Sequence, residues 1–138
     1  MMVSRTFRAP GRVNLIGEHT DYNLGFVLPI ALDLAAWVET EPSPDGACHV
    51  WSEQRQQGFS WNAAETAALR PRGQWSDYIA GVAVQLALRG VEARPLQMKI
   101  RSEVPEGSGL SSSAALEVSV ALALLQGREF DRLELAQL

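Results

Sequence analysis

The sequence predicts one domain in which strands and helices are mixed, and three stretches carry that prediction. From Thr6 to Ile16, Val13 and Leu15 alternate with Arg12, Asn14 and Ile16, the two-residue period of a strand. Leu96, Met98 and Ile100 alternate in the same way with Gln97, Lys99 and Arg101. Between Trp75 and Arg89 the period changes: Ile79, Val82, Ala83, Leu86 and Ala87 recur at three- and four-residue spacing, as one face of an amphipathic helix requires. A chain of 138 residues with 46% hydrophobic and 20% charged side chains is long and apolar enough to bury a single core.

Taken in order, the first strand ends at Gly17, and Glu18 to Gly25 is polar and glycine-bounded, hence a loop. Phe26 to Glu41 is rich in Val, Leu, Ala and Trp and predicts a buried strand pair, or a strand and a bend. Pro42-Ser43-Pro44-Asp45-Gly46 predicts a turn. His49 to Trp61 alternates weakly through Val50, Trp51, Phe59 and Trp61, consistent with a hairpin or edge strands. After the helix of Trp75 to Arg89, Gly90 stands where a helix stop belongs. The strand from Leu96 feeds Pro105-Glu106-Gly107-Ser108-Gly109. Ser113 to Gln126 is apolar nearly all round and predicts a buried helix. Phe130 to Leu138 begins another helical pattern with Leu133, Leu135 and Leu138 and stops without a cap, so the chain reads as truncated at its C-terminus. The sequence contains no internal repeat.

Composition narrows the function. Twelve basic against sixteen acidic side chains give a net charge of −4, and no Lys or Arg run breaks the balance, which argues against nucleic acid and anionic membrane as partners. A single Cys48 cannot form an internal disulfide and fits a reducing, cytoplasmic setting. The first residues lack the apolar stretch of a secretory signal, and Phe26 to Val38 and Ala114 to Leu125 both fall short of the ~18 residues needed to span a bilayer.

Gly107-Ser108-Gly109-Leu110-Ser111-Ser112-Ser113, running into a helix, is suited to an anion. Helix N-termini present unpaired N–H groups and a positive dipole end, and glycines let a phosphate approach the backbone. The hydroxyls add donors, and Ser113 offers a neutral oxygen to a hard cation such as Mg²⁺. The segment is neither of two familiar phosphate loops: no Lys follows Gly109, as G-x-x-x-x-G-K-[ST] requires, and Ser112 stands where G-x-G-x-x-G needs its last glycine. A plain serine N-cap on a core helix uses the same residues.

The second cluster is Arg12, Asn14, Glu18, His19, Thr20, Asp21, Tyr22 and Asn23, at a strand end and in the loop beyond it. Carboxylates accept from vicinal sugar hydroxyls, an imidazole donates or accepts, and a guanidinium holds a phosphoryl oxygen with directed donors. The residues leave other readings open: an ion pair of Arg12 with Glu18 or Asp21, a two-ligand metal site at His19 and Asp21, or a glycosidase pair of Glu18 and Asp21.

Taken together, the two segments resemble the galactokinase family. Pro10-Gly11-Arg12-Val13-Asn14-Leu15-Ile16-Gly17-Glu18-His19-Thr20-Asp21-Tyr22-Asn23, continuing into Gly25-Phe26-Val27-Leu28-Pro29, is similar to the galactokinase motif. Pro105 to Ala115 resembles the second motif of the wider superfamily of galactokinase, homoserine, mevalonate and phosphomevalonate kinases, called GHMP kinases. Trp75, Tyr78 and Gly81 also sit as galactokinases place them. The resemblance implies an α+β fold, the GHMP kinase N-terminal domain, with a ribosomal-protein-like mixed sheet packed with helices. It implies transfer of the γ-phosphoryl group of ATP to the 1-hydroxyl of α-D-galactose, with ATP and Mg²⁺ as cofactors, in a monomeric enzyme. Arg12 would stabilise the charge in transfer, and Glu18, His19, Thr20 and Asp21 would hold the sugar. Gly107, Ser108, Gly109, Leu110, Ser111, Ser112 and Ser113 would wrap the ATP phosphates, Ser113 also ligating the metal. Family members run to more than twice this length and place a catalytic aspartate, a metal-binding glutamate and a third, glycine-rich motif beyond the second, so this chain by itself is expected to be inactive. A non-catalytic galactose and ATP sensor and an N-acetylgalactosamine kinase share the same motifs.

Overall fold

The computed structural model describes residues 4–16 and 24–138. Two long runs of strand-forming residues set its first elements. β1 (Arg5–Ile16) and β2 (Leu28–Pro42) pair antiparallel from Arg5 opposite Thr40 to Ile16 opposite Leu28. The strand pair or bend expected over residues 26–41 is therefore a single strand. Its irregularities are absorbed as register shifts between Pro10 and Arg12 and between Asn14 and Ile16, which swivel a strand without ending it. Only its second half is buried, at Ala35, Ala36, Val38 and Thr40, whereas Leu28, Ile30 and Leu34 are exposed. The division falls where the next strand begins, since β5 (Leu96–Ser102) pairs with β2 only from Ala36 to Pro42.

β3 (Ala47–Ser52) and β4 (Gln57–Asn62) form an antiparallel hairpin, and β3 also lies parallel to β5, giving the order β1-β2-β5-β3-β4. The weakly patterned stretch of residues 49–61 thus contributes one interior and one edge strand. Alternation is cleanest in β5, where Leu96, Met98 and Ile100 are buried and Gln97, Lys99 and Arg101 are exposed. On the polar face the Trp37 ring lies between the guanidiniums of Arg8 and Arg101, at 5.3 and 5.1 Å from its centroid.

Asp45, in the turn before β3, accepts from the Ser43 hydroxyl at 2.7 Å, from the Ala47 backbone N–H at 3.0 Å and from His49 Nε2 at 2.8 Å. These bonds, that from Ser43 first, lower its pKa from 3.8 to about 2. A group whose pKa falls on folding stabilises the fold above its unfolded value and loses that contribution as pH drops through the folded one. Asp45 is thus expected to make the fold lose stability between about pH 4 and pH 2. Asp45→Asn should flatten that limb of the curve of denaturation midpoint against pH.

A short 3₁₀ helix (Ala63–Ala68), not foreseen from the sequence, follows β4. It hangs on a buried bond from Trp61 Nε1 to Thr66 Oγ1 of 2.9 Å. α1 (Asp77–Leu88) lies within the expected helix, and Gly90, at φ +83°, ends it. The Asp77 carboxylate accepts from the backbone N–H groups of Arg72, Gly73 and Gln74, which lowers its pKa and ties down the entry loop. α2 (Ser112–Leu125) meets the expectation of all-round burial only in its second half; Ala114 and Val118 in the first half are exposed. The final pattern yields one turn, α3 (Arg132–Leu135), capped by Asp131 on Leu133 and Glu134. No helix among the described residues is long and apolar enough to cross a membrane.

The core lies between one face of the sheet and the two longer helices. Val38, Val50, Trp61, Met98 and Ile100 meet Ile79, Val82 and Leu86 of α1 and Val120, Leu124 and Leu125 of α2. Ile79 is fully buried, so Ile79→Val removes one methylene that nothing refills. It is expected to cost about 1 kcal/mol, read as a lower urea midpoint with an unchanged denaturant slope.

Candidate functional site

The site is built where β5 runs out and β1 kinks. Beyond β5 the chain is held by Glu103 N–H on Ala35 O at 2.9 Å and by burial of Val104. It then turns through Gly107 at φ +69° and Gly109 at φ +75°. A Cβ at either glycine would meet nothing within 4 Å, so glycine is needed for the backbone conformation and not for space. The Ser108 hydroxyl donates to Pro105 O at 2.7 Å and staples the turn.

Ser111, the residue before α2, is also left-handed, at φ 61° and ψ 48°, and its side chain makes no capping bond to the helix. The serine N-cap that the sequence allowed is thus absent. No side chain of the N-cap residue covers the N–H groups of the first turn of α2, which leaves them directed at the loop.

Gly11 is what lets β1 reach this loop. A Cβ there would lie 2.9 Å from Leu110 O and 3.1 and 3.2 Å from the two methyls of Val104. In the register shift beside it, the Arg12 backbone N–H turns away from β2 and donates to Leu110 O at 2.9 Å. The Arg12 side chain follows, its Nη2 donating to Ser111 Oγ at 2.9 Å. Of the residues singled out in the sequence, the structure therefore joins Arg12 to Leu110 and Ser111. Glu18, His19, Thr20 and Asp21, and Tyr22 and Asn23 with them, lie outside the described residues. Asn14 Oδ1 is buried and has no hydrogen-bond partner among the described residues.

Beside the loop lies a cavity of about 720 Å³ whose walls include Arg55, Trp75, Tyr78, Gly107, Ser112 and Ser113. The Arg55–Glu106 ion pair, 2.6 Å long, joins the β3–β4 turn to the loop. Sequence reasoning missed Arg55 and the cavity, because β3 to β4 carries no motif and only the sheet order brings it alongside. A second groove, of about 830 Å³, separates α1 from the first half of α2 and is lined by Tyr78, Gly81, Ala114, Glu117 and Val118 among others. Partial burial raises the pKa of Glu117 there.

A resident metal finds little here. No group of three or more His, Cys, Asp or Glu among the described residues could hold an ion. Mg²⁺ is usually held by one or two carboxylates together with substrate phosphates, and Ser113, exposed in the first turn of α2, can add a single neutral oxygen. The donor set therefore fits a cation that arrives on phosphates better than one held by the protein alone.

This sheet order, with a glycine loop entering an uncapped helix, is the architecture of the GHMP kinase N-terminal domain, and the family description of that domain matches residues 77–138. The Methanococcus jannaschii mevalonate kinase structure superposes with a TM-score of 0.86 over 98% of this chain at 20% identity, which shows the shared fold. The chain belongs to the galactokinase family: the galactokinase galactose-binding signature matches residues 3–42. The galactokinases of Chloroflexus aurantiacus and Thermosipho africanus are 50% and 45% identical over 117 residues, 85% of this chain. The structure of Lactococcus lactis galactokinase, complexed with galactose, superposes with a TM-score of 0.85 over 97% of this chain at 35% identity. The chain spans about a third of the length of these relatives, 30 and 31% of the two sequences and 36% of the Lactococcus chain.

Proposed function

We propose that the chain belongs to a kinase that transfers the γ-phosphoryl group of ATP to the 1-hydroxyl of α-D-galactose, giving galactose 1-phosphate and ADP. The observation that carries this reading is the junction of Arg12 with Leu110 and Ser111, which sets a fork of cationic donors beside the glycine loop. Phosphoryl transfer needs little else from a protein than alignment and neutralisation of charge spread over the phosphoryl oxygens. Gly107 to Ser113 would cradle the phosphates with backbone N–H groups and hydroxyls, and the guanidinium would face the transferred group. The 720 Å³ cavity beside the loop is large enough for the rest of a nucleotide. Glu18, His19, Thr20 and Asp21 would hold the sugar hydroxyls. Mg²⁺ bound to the nucleotide would neutralise β- and γ-phosphate charge, with Ser113 as one oxygen ligand. We take the partners to be these small molecules and not nucleic acid or membrane, in keeping with the net charge of −4, and the protein to act as a cytoplasmic monomer.

Calorimetric titration of the chain with Mg-ATP and with galactose, against glucose and N-acetylgalactosamine, tests the reading. Saturable Mg-ATP binding together with preference for galactose over glucose is the expected result. Equal or better binding of N-acetylgalactosamine would move the assignment to that sugar, and absence of Mg-ATP binding would refute it.

A further inference from the structure

We propose that Ser111 is a positioning residue for Arg12: its hydroxyl holds the guanidinium at the mouth of the phosphate loop, in exchange for the cap it withholds from α2. The inference rests on the role given to Arg12 under the proposed function. Three observations carry it. Ser111 sits in the left-handed region at φ 61° and ψ 48°, which a residue with a Cβ adopts at a steric cost. An ordinary N-cap serine has an extended backbone and turns its oxygen onto the first-turn N–H groups, whereas this oxygen makes no such bond and accepts from Arg12 Nη2 at 2.9 Å. The backbone N–H of the same arginine is fixed one residue away, on Leu110 O at 2.9 Å.

Arg12 is otherwise a long, exposed side chain with many rotamers. Attachment at both its backbone and its guanidinium leaves it few. One N–H of the guanidinium is used on Ser111, and among the described residues no other side-chain bond occupies the donors that would meet phosphoryl oxygens. A hydroxyl that accepts from a cation keeps its own proton free, so Ser111 can at the same time donate to a phosphate.

Substitution separates positioning from support of the fold. Ser111→Gly removes the acceptor while relieving the left-handed backbone, and should therefore melt no lower than the wild type. Ser111→Asn tolerates the left-handed backbone and restores an acceptor. With isotope-labelled arginine, rotation about the Nε–Cζ bond of Arg12, assigned by its loss in Arg12→Ala, is expected to be hindered in the wild type and in Ser111→Asn. In Ser111→Gly it should be fast. Unhindered rotation in the wild type, or no change in Ser111→Gly, overturns the proposal.

Affinity supplies the second readout. The wild type should bind Mg-ATP more tightly than Mg-ADP by about tenfold or more, the worth of one charge-assisted contact. Arg12→Ala and Ser111→Gly should each lose that preference, and the double variant should lose no more than either. Equal weakening of both nucleotides in Ser111→Gly would make Ser111 a phosphate donor only and overturn the positioning role. A wild type that binds neither nucleotide would instead overturn the functional reading, and the role with it, even if the rotation were hindered.

Discussion

Arg12→Ala, in a kinase carrying this segment, is expected to lower kcat for galactose phosphorylation by about a hundred- to a thousandfold with KM for galactose changed little. A donor aimed at charge that develops during reaction contributes more to the transition state than to the bound substrate, and losses of this size follow removal of one such donor. The geometry favours this split. The guanidinium stands at the loop, tied to it by its bond to Ser111 and by the Arg12 backbone bond to Leu110. Arg12→Lys should recover only part of the rate, because an ammonium is a point charge that cannot engage Ser111 and two phosphoryl oxygens in one plane. Asp21→Ala is expected to act in the other direction, raising KM for galactose more than it lowers kcat. Steady-state kinetics in both substrates decides; Arg12→Ala with unchanged kcat and a raised KM would contradict the role given to Arg12.

Gly11→Ala is expected to damage stability and activity together. The added methyl meets a carbonyl oxygen at 2.9 Å and two branched methyls at 3.1 and 3.2 Å, and neither a backbone carbonyl nor buried Val104 can swing aside as the end of a flexible side chain could. Overpacking of this kind costs about 1–3 kcal/mol, roughly 3–15 °C in melting temperature for a domain of this size. Relief by separating β1 from the loop would lengthen the Arg12 to Leu110 bond and misplace the guanidinium, so kcat should fall even at temperatures where the variant is folded. Gly81→Ala is the control. Its Cβ meets nothing within 4 Å in the middle of α1, where alanine is the better helix former. Calorimetric melting of both variants would test the contrast, and a Gly11→Ala melting point equal to that of the wild type would refute the close-contact argument.

What could be read in advance and what could not divide along physical lines. α1, β5 and the two motifs were legible because each is written in one local period or one contiguous run. β2 was legible only as a strand pair or a strand and a bend, because Pro29 and Asp33 interrupt its apolar stretch; pairing with β1 keeps it one strand, with the register shifting beside both residues. The weak alternation of β3 and β4 hid a strand that the sheet places next to β5. At the site, the chemistry of Arg12 and of the serines was legible residue by residue. Their contact, across 99 positions, was not, since no period or spacing reports it. Nor does a serine announce a left-handed backbone.

One consequence of the sheet concerns handling of the protein more than catalysis. β5 covers β2 only from Ala36 onward, so among the described residues no strand pairs with residues 28–35 on that side, and Leu28, Ile30 and Leu34 are exposed along it. A bare, apolar strand edge invites pairing between molecules. Pro29 offers no N–H to such a partner, and Asp33 adds a charge while its carbonyl already accepts from Arg8 Nη2 at 2.9 Å. The two residues that interrupt β2 in the sequence thus oppose such pairing along its edge, and replacing them by valine is expected to raise light scattering on concentration relative to the wild type.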